Sequence, residues 1–378
     1  MTQRVIYPGT FSPPTYGHLD IVKRATVTYG SVTIVCSENP SKPDPWFSPE
    51  ACTQLWQAYV LPPGTQVMTL AQFRQQLQSG DTLLMIRGLR GDGQQDAQHE
   101  LDVMLENHRD FGVGAFTYFF SDPQWQQTSS SRARALAQEL QLYELGQHVA
   151  PLVVTALVEK SLHIRNLFLV AGRPASGKST FLRMLAEADR RNVVIATDDF
   201  NHQLRPIVEA KFPGEDLVQL AIHREAELNA VLHDPWFACL RQALLKVPKD
   251  TNVYLESALG LQLSKQLFRY LGGKVLYVDC GSAKKNVERN HRRNTDAYEA
   301  FIRAIPDLTE AQRIAHEFHL TLTPIDTSGT KKQLRNFART LQVTPQGEVV
   351  SSKIQTYQIK GNDDDEDIGC YILMDYRD

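Results

Sequence analysis

Nowhere in this 378-residue chain does an apolar run approach the ~20 residues of a membrane-spanning helix. The longest candidate, Val149–Val158, is interrupted by Pro151. The opening Met1-Thr2-Gln3-Arg4-Val5-Ile6-Tyr7 carries too short an apolar part for a secretory leader. Cysteine is scarce and dispersed: Cys36, Cys52, Cys239, Cys280 and Cys370 form no CxxC pair. Neither a disulfide framework nor a thiolate metal knot is suggested, and a reducing cytoplasm is the expected compartment. An excess of positive charge is also missing. The chain sets 40 Lys+Arg against 43 Asp+Glu, a net charge of −3, which is no footprint for a nucleic-acid or membrane-surface binder. What remains is ordinary globular composition, 42% hydrophobic and 22% charged, which rules out wholesale disorder. The length suits two domains with a small extra piece.

The first ~160 residues alternate strand and helix patterns. Val5–Tyr7, Val32–Cys36, Gln66–Leu70, Thr82–Ile86 and Ala115–Phe120 read as strands. Leu19, Val22 and Ala25 mark an amphipathic helix ending near Gly30, and Ser48-Pro49 opens another that runs to about Val60. A second alternation begins near Asn166, with strands at Leu167–Ala171, Val193–Ala196, Val253–Leu255, Val275–Val278 and Leu322–Ile325 and a helix at Lys178–Ala188. The fold class expected is α/β, two doubly wound parallel-sheet domains. The junction reads as one helix, roughly Gln147–Leu162, with no Pro/Gly/Ser linker. The expected division is 1–162, 163–342 and an acidic tail, 343–378, in which Lys353–Lys360 and Tyr371–Met374 suggest a hairpin. The acidic run Asp363–Asp367 reads as a solvated loop.

In parallel sheets ligands sit at the carboxyl ends of the strands, so the chemistry is sought in the loops that follow them. Tyr7-Pro8-Gly9-Thr10-Phe11-Ser12-Pro13-Pro14-Thr15-Tyr16-Gly17-His18 joins a strand to a helix. Small residues let a ligand approach the backbone, and a histidine at a helix start can donate to phosphate oxygens as charge builds. This stretch resembles the opening of phosphopantetheine adenylyltransferases, in the nucleotidyltransferase superfamily with the (H/T)xGH motif. Ser41-Lys42, Ile86-Arg87-Gly88-Leu89-Arg90 and, after Trp125, Thr128-Ser129-Ser130-Ser131 match that family in order. The resemblance covers about residues 1–160. It implies that Thr10, Lys42 and Arg87 hold the phosphate of 4′-phosphopantetheine and that His18 stabilises the transferring α-phosphate. It further implies that Phe11, Gly17, Arg90, Glu100 and Ser129, Ser130 and Ser131 bind ATP. Ser12 stands where the family usually has Asp, and the stretch between Arg90 and Glu100 is about two residues longer than the family pattern.

The second half carries Gly172-Arg173-Pro174-Ala175-Ser176-Gly177-Lys178-Ser179-Thr180 between a strand and a helix, the G-x-x-x-x-G-K-[ST] pattern in its required context. Backbone N–H groups of this loop cradle phosphates, Lys178 reaches the β/γ oxygens, and Ser179 ligates Mg²⁺. Thr197-Asp198-Asp199-Phe200 follows the next strand. The resemblance to small P-loop kinases implies that a carboxylate there accepts the acceptor hydroxyl's proton or organises Mg²⁺, so Asp198 and Asp199 are candidates, with Asp198 as a second Mg²⁺ ligand; the bland reading is a helix N-cap. Glu256 ends a further strand and is placed to hold a metal-bound water. Arg205 is a candidate for substrate phosphate. Arg289, Arg292 and Arg293 suggest a lid over phosphates or a solvated basic face. Ile325-Asp326-Thr327-Ser328-Gly329 resembles the string after the last strand of dephospho-coenzyme A kinases, where it flanks adenine.

The expectation is a bifunctional enzyme of coenzyme A synthesis. ATP is its substrate and Mg²⁺ its cofactor; its partners are small molecules, with neither nucleic acid nor membrane among them. The resemblance implies homo-oligomerisation through the first domain. Two alternatives stay open: a nicotinamide mononucleotide adenylyltransferase joined to a ribosylnicotinamide kinase, and a non-catalytic adenylyltransferase-like sensor joined to a zeta-toxin-like or other small-metabolite kinase.

Overall fold

A computed structural model of the chain describes residues 3–38, 45–89, 113–215, 217–257, 268–281, 288, 307–317, 320–329, 331–344, 349–351, 355–357 and 371–373. Lys42, Arg90, Glu100, Arg289, Arg292, Arg293 and the acidic run 363–367 lie outside the described residues. The chain divides into two compact units, Met1–Val153 and Val154–Asp378.

The first unit runs β1 (Gln3–Gly9), α1 (Tyr16–Tyr29), β2 (Val32–Cys36), α2 (Pro49–Trp56), β3 (Thr65–Thr69), α3 (Leu70–Gln76), β4 (Thr82–Leu89), β5 (Ala115–Phe120), α4 (Ser130–Gln138) and α5 (Leu142–His148). Its five strands are parallel in the order β3-β2-β1-β4-β5. The order reverses at β1, so a crevice opens where β1 and β4 lead their chains away, and ligands bind there in this architecture. Ile6, Val35, Phe73 and Met85 fill one face of the sheet. Strand β4 runs three residues beyond the apolar stretch Thr82–Ile86. It therefore contains Arg87, whose backbone is in register with Tyr118 of β5. Ladder pairing with β5, which runs on from Arg87 to Leu89, carried the strand past its hydrophobic residues.

Helix α6 (Pro151–Leu162) begins at Pro151, and the chain at Val149 is extended. The single helix expected over Gln147–Leu162 is thus two. Proline lacks the N–H that a continuing helix would use, but fits the first helical position. The division between the units falls inside α6.

The second unit continues with β6 (Asn166–Ala171), α7 (Lys178–Ala188), β7 (Asn192–Ala196), α8 (Asn201–Lys211), α9 (Leu217–His223), α10 (Glu225–Leu245), β8 (Asn252–Glu256), β9 (Lys274–Asp279), α11 (Leu308–Glu317), β10 (Thr321–Asp326) and α12 (Lys331–Thr340). Its five parallel strands lie in the order β10-β9-β6-β8-β7, with β6 at the centre. Phe168, Val170, Phe181, Leu185, Tyr254 and Leu276 form its core. At the amino ends of these strands Lys274, Asn166, Asn252 and Asn192 link side chain to side chain across four of them. Glu159 of α6 closes that line, accepting from Lys274 Nζ at 2.8 Å and from the Leu167 N–H at 2.7 Å. In the tail, β11 (Leu341–Val343) pairs antiparallel with β12 (Val349–Ser351), and β13 (Gln355–Tyr357) with β14 (Tyr371–Leu373). Both halves of the expected α/β class are therefore present. No helix among the described residues is long and apolar enough to cross a membrane.

Candidate active sites

The first site is built from the loop between β1 and α1. Thr15 is the N-cap of α1, and its hydroxyl accepts from the His18 N–H. In return the Thr15 N–H donates to His18 Nδ1 at 3.1 Å, with Thr15 Oγ1 3.0 Å from the same nitrogen. This reciprocal capping box uses histidine in the place of the usual Glu or Gln. It also settles the tautomer. A nitrogen that accepts from a backbone N–H has no hydrogen of its own, so the ring proton sits on Nε2. His18 therefore presents a donor on the side of the ring away from the cap.

Phe11 holds the loop in shape. It is buried, with a left-handed φ of 42°, a conformation that costs about 1–3 kcal/mol for a residue with a side chain. Edge contacts to Tyr7 (5.2 Å), His18 (5.2 Å) and Trp56 (5.3 Å) over-determine its ring. Gly9 is required by that packing, because a Cβ there would lie 2.9 Å from the Phe11 ring. The carbonyls of the loop are tied down one by one. Cys52 Sγ lies 3.3 Å from Thr10 O, Ser130 Oγ donates to Pro13 O at 2.8 Å, and Tyr59 Oη donates to Pro14 O at 2.8 Å. Arg134 donates to Ser12 O. Burial pushes the Tyr59 hydroxyl well above the usual phenol range and the Cys52 thiol up to about 12, so both act here as neutral hydrogen-bonding groups.

The structure brings Thr10, Phe11, Gly17 and His18 together with the serine-rich start of α4. Ser129 is the N-cap, accepting from the Arg132 N–H at 3.0 Å; Ser130 reaches Pro13; Ser131 accepts from Arg134 at 3.3 Å. Ser12 is buried, and its hydroxyl accepts from the Phe47 N–H at 3.1 Å. Arg87 is half-buried on β4, the strand next to β1. Sequence reasoning missed Arg134, Tyr59 and Cys52. Arg134 had a local signal, three residues after Ser131 on one helix face. Tyr59 and Cys52 had none, since their partners lie 45 and 42 residues away.

Residues 6–136 match the cytidylyltransferase-like family. The phosphopantetheine adenylyltransferase of Mannheimia succiniciproducens is 32% identical over 165 residues, which span 43% of this chain and 99% of that protein. The chain belongs to the phosphopantetheine adenylyltransferase family. The protein of that name from Actinobacillus pleuropneumoniae serotype 3 is 33% identical over 166 residues, 42% of this chain and 99% of its own. Among solved structures, a NadR protein in complex with NR is 16% identical, covering 89% of this chain and 94% of its own with a TM-score of 0.30. A nicotinic acid mononucleotide adenylyltransferase from Plasmodium falciparum is 12% identical over 42% of this chain, with a TM-score of 0.32.

Beyond the adenylyltransferase-family region lies the second site, at the carboxyl end of β6. Gly172 has a φ of 140°, and a Cβ on it would lie 2.2 Å from Val278 O; no other residue fits there. Gly177 is the N-cap of α7, and the loop leaves a hollow lined by Ala175, Gly177, Lys178, Ser179 and Thr180. The N–H groups and dipole of a helix start favour anionic oxygen. Lys178 folds over the loop, its Nζ donating to Gly172 O at 2.8 Å and Arg173 O at 3.0 Å. Ser179 Oγ donates to Glu256 Oε1 at 2.8 Å. Ser176 is fully buried. The loop after β10 closes on it: Thr327 Oγ1 donates to Ser176 O and lies 2.9 Å from Asp279 O. Asp326 is occupied locally, accepting from Ser328.

Asp198 and Asp199 form a short 3₁₀ turn after β7, and α8 starts without a side-chain cap, so neither carboxylate is spent as an N-cap. The surrounding protein raises the Asp198 carboxyl above the usual range; Lys178 pulls it back and Asp199 adds to the rise. Arg205 is exposed on α8. The direct Ser179–Glu256 bond is a link the sequence left open, because strand order alone places β8 beside β6.

Proposed function

We propose that this chain catalyses two consecutive steps. The first unit transfers AMP from ATP to 4′-phosphopantetheine, and the second phosphorylates the ribose 3′-hydroxyl of the resulting dephospho-coenzyme A. The functional regions proposed are 1–162 and 163–342. The observation that carries the first step is the capping box that leaves the His18 proton on Nε2.

In the first step a phosphate oxygen of phosphopantetheine attacks the α-phosphorus of ATP and pyrophosphate leaves. Such a transfer needs positioning and charge neutralisation rather than a covalent intermediate. His18 Nε2–H donates to the α-phosphate as its charge builds, while Thr10, Lys42 and Arg87 hold the attacking phosphate. Ser129–Ser131 and Arg134 border the nucleotide.

In the second step the ribose hydroxyl attacks the γ-phosphorus, ADP leaves, and Asp198 takes the hydroxyl proton. The loop N–H groups and Lys178 hold the phosphates. Ser179 and Glu256 offer hard oxygen donors in contact with each other, a set that fits Mg²⁺. When bound there, the ion neutralises phosphate charge.

Mass spectrometry after incubation of the full chain with phosphopantetheine, ATP and Mg²⁺ tests both steps. A gain of one adenylyl group plus one phosphate is expected. A gain of adenylyl alone removes the second assignment, and no gain removes the first. A second reading makes the first unit a ligand sensor, motivated by Ser12 in place of a carboxylate. Sound wild-type turnover that is lost in His18→Ala would eliminate it.

A further inference from the structure

The turn that carries Ser129–Ser131 is held from a direction that the mechanism does not use. Thr128 is buried, and its backbone oxygen and side chain form the wall against Gly17: a Cβ on that glycine would lie 3.5 Å from Thr128 O and 3.6 Å from its Cβ and Cγ2. Thr128 therefore sets the spacing between the start of α4 and the start of α1, which bears His18. Its hydroxyl is in turn 2.9 Å from Nδ1 of His148, the last residue of α5. One ring thus fixes the rotamer of the residue that separates the two helix starts.

We propose that His148 is a positioning residue for AMP transfer, holding the Thr128–Ser131 turn against the His18 helix start so that the ATP subsite is pre-formed. This rests on the proposed adenylyl transfer by the first unit. His148 acts through its hydrogen bond to Thr128, so its effect falls on the nucleotide rather than on the acceptor.

The charge of the ring depends on its surroundings. His148 is half-buried; loss of solvent lowers its pKa below the usual histidine value, Arg132 of α4 lowers it further, and Glu144 of α5 opposes them. At neutral pH the ring is uncharged. Protonation on the acid side sets a charge beside Arg132, with Glu144 already paired to that arginine.

The test uses the full chain and steady-state AMP transfer to phosphopantetheine. His148→Phe keeps the ring volume and removes the hydrogen bond. The KM for ATP should rise about five- to tenfold, the size of one lost hydrogen bond, with the KM for phosphopantetheine within about twofold. His148→Asn should restore most of the loss, and Thr128→Val with His148→Phe should be no worse than either alone. Equal loss on both substrates, or an unchanged KM for ATP in a folded His148→Phe, overturns the proposal.

ATP titration in a Lys178→Ala background, which silences the second site, separates the failures. Binding without transfer in the parent overturns the functional reading, and the affinity ratio of the His148 variants still decides the positioning role. Absence of both binding and transfer overturns both.

Discussion

Replacing Lys274 with methionine should strongly destabilise the second unit. Lys274 and Glu159 meet at 2.8 Å with side chains only 10% and 14% exposed. Burial pushes the Glu159 carboxyl up, while Lys274 and the Leu167 N–H hold it down. Methionine fills the lysine's volume but leaves the carboxylate with the Leu167 N–H alone, and Asn166 Oδ1 loses its donor as well. Removing one partner of a buried pair costs about 3–5 kcal/mol. Replacing both partners is far milder, so Glu159→Gln combined with Lys274→Met should be more stable than Lys274→Met alone.

The sign with pH follows from the raised carboxyl. A group whose folded pKa exceeds its unfolded value stabilises the fold at low pH and loses that contribution as pH rises through the folded pKa. Without its lysine, Glu159 rises further, so Lys274→Met should recover part of its loss on acidification towards the ordinary glutamate range. Hydrogen exchange of the β6 and β8 peptides reads the second unit by itself. A cost below ~1 kcal/mol, or a double variant at the sum of the two singles, would refute the account of a desolvated pair whose members need each other.

Three further outcomes are expected. His18→Ala should lower AMP transfer by about 10²–10³, the scale of one lost transition-state donor, while the phosphoryl transfer proposed for the second unit, assayed on supplied dephospho-coenzyme A, stays at its wild-type rate. Thr327→Val keeps the shape of the clasp on the P-loop but leaves Ser176 O without its donor, so ATP affinity at the second site should fall about five- to thirtyfold by titration calorimetry. With Asp198 as base, second-site turnover is lost as pH falls through its raised pKa; Asp199→Asn removes a charge that raises it, so the acid limb of the pH–rate profile should move to lower pH.

Much of the first site was legible because its parts are local. The Tyr7–His18 stretch and the Gly172–Thr180 loop each run in one piece between a strand and a helix, so residue type and spacing were enough to mark them, while the reciprocal cap of Thr15 and His18 came from the structure. The βα alternation came from hydrophobic periodicity, since each strand and helix carries its own apolar pattern. Periodicity does not report where ladder pairing stops, which is why Arg87 lies within β4 rather than after it. It also passed over the break before Pro151, where the missing N–H outweighs a continuous apolar run.

What tertiary structure alone decided are the links between distant segments. Strand order places β8 beside β6, and only then does Glu256 meet Ser179 across 77 residues. Thr327 reaches Ser176 across 151 residues, and Ser130 reaches Pro13 across 117. The reason is physical. A helix cap or phosphate loop is satisfied by neighbours in the chain, whereas a clasp is satisfied by whatever the sheet brings alongside. The sequence marked candidate groups along the chain; the order of strands chose their companions.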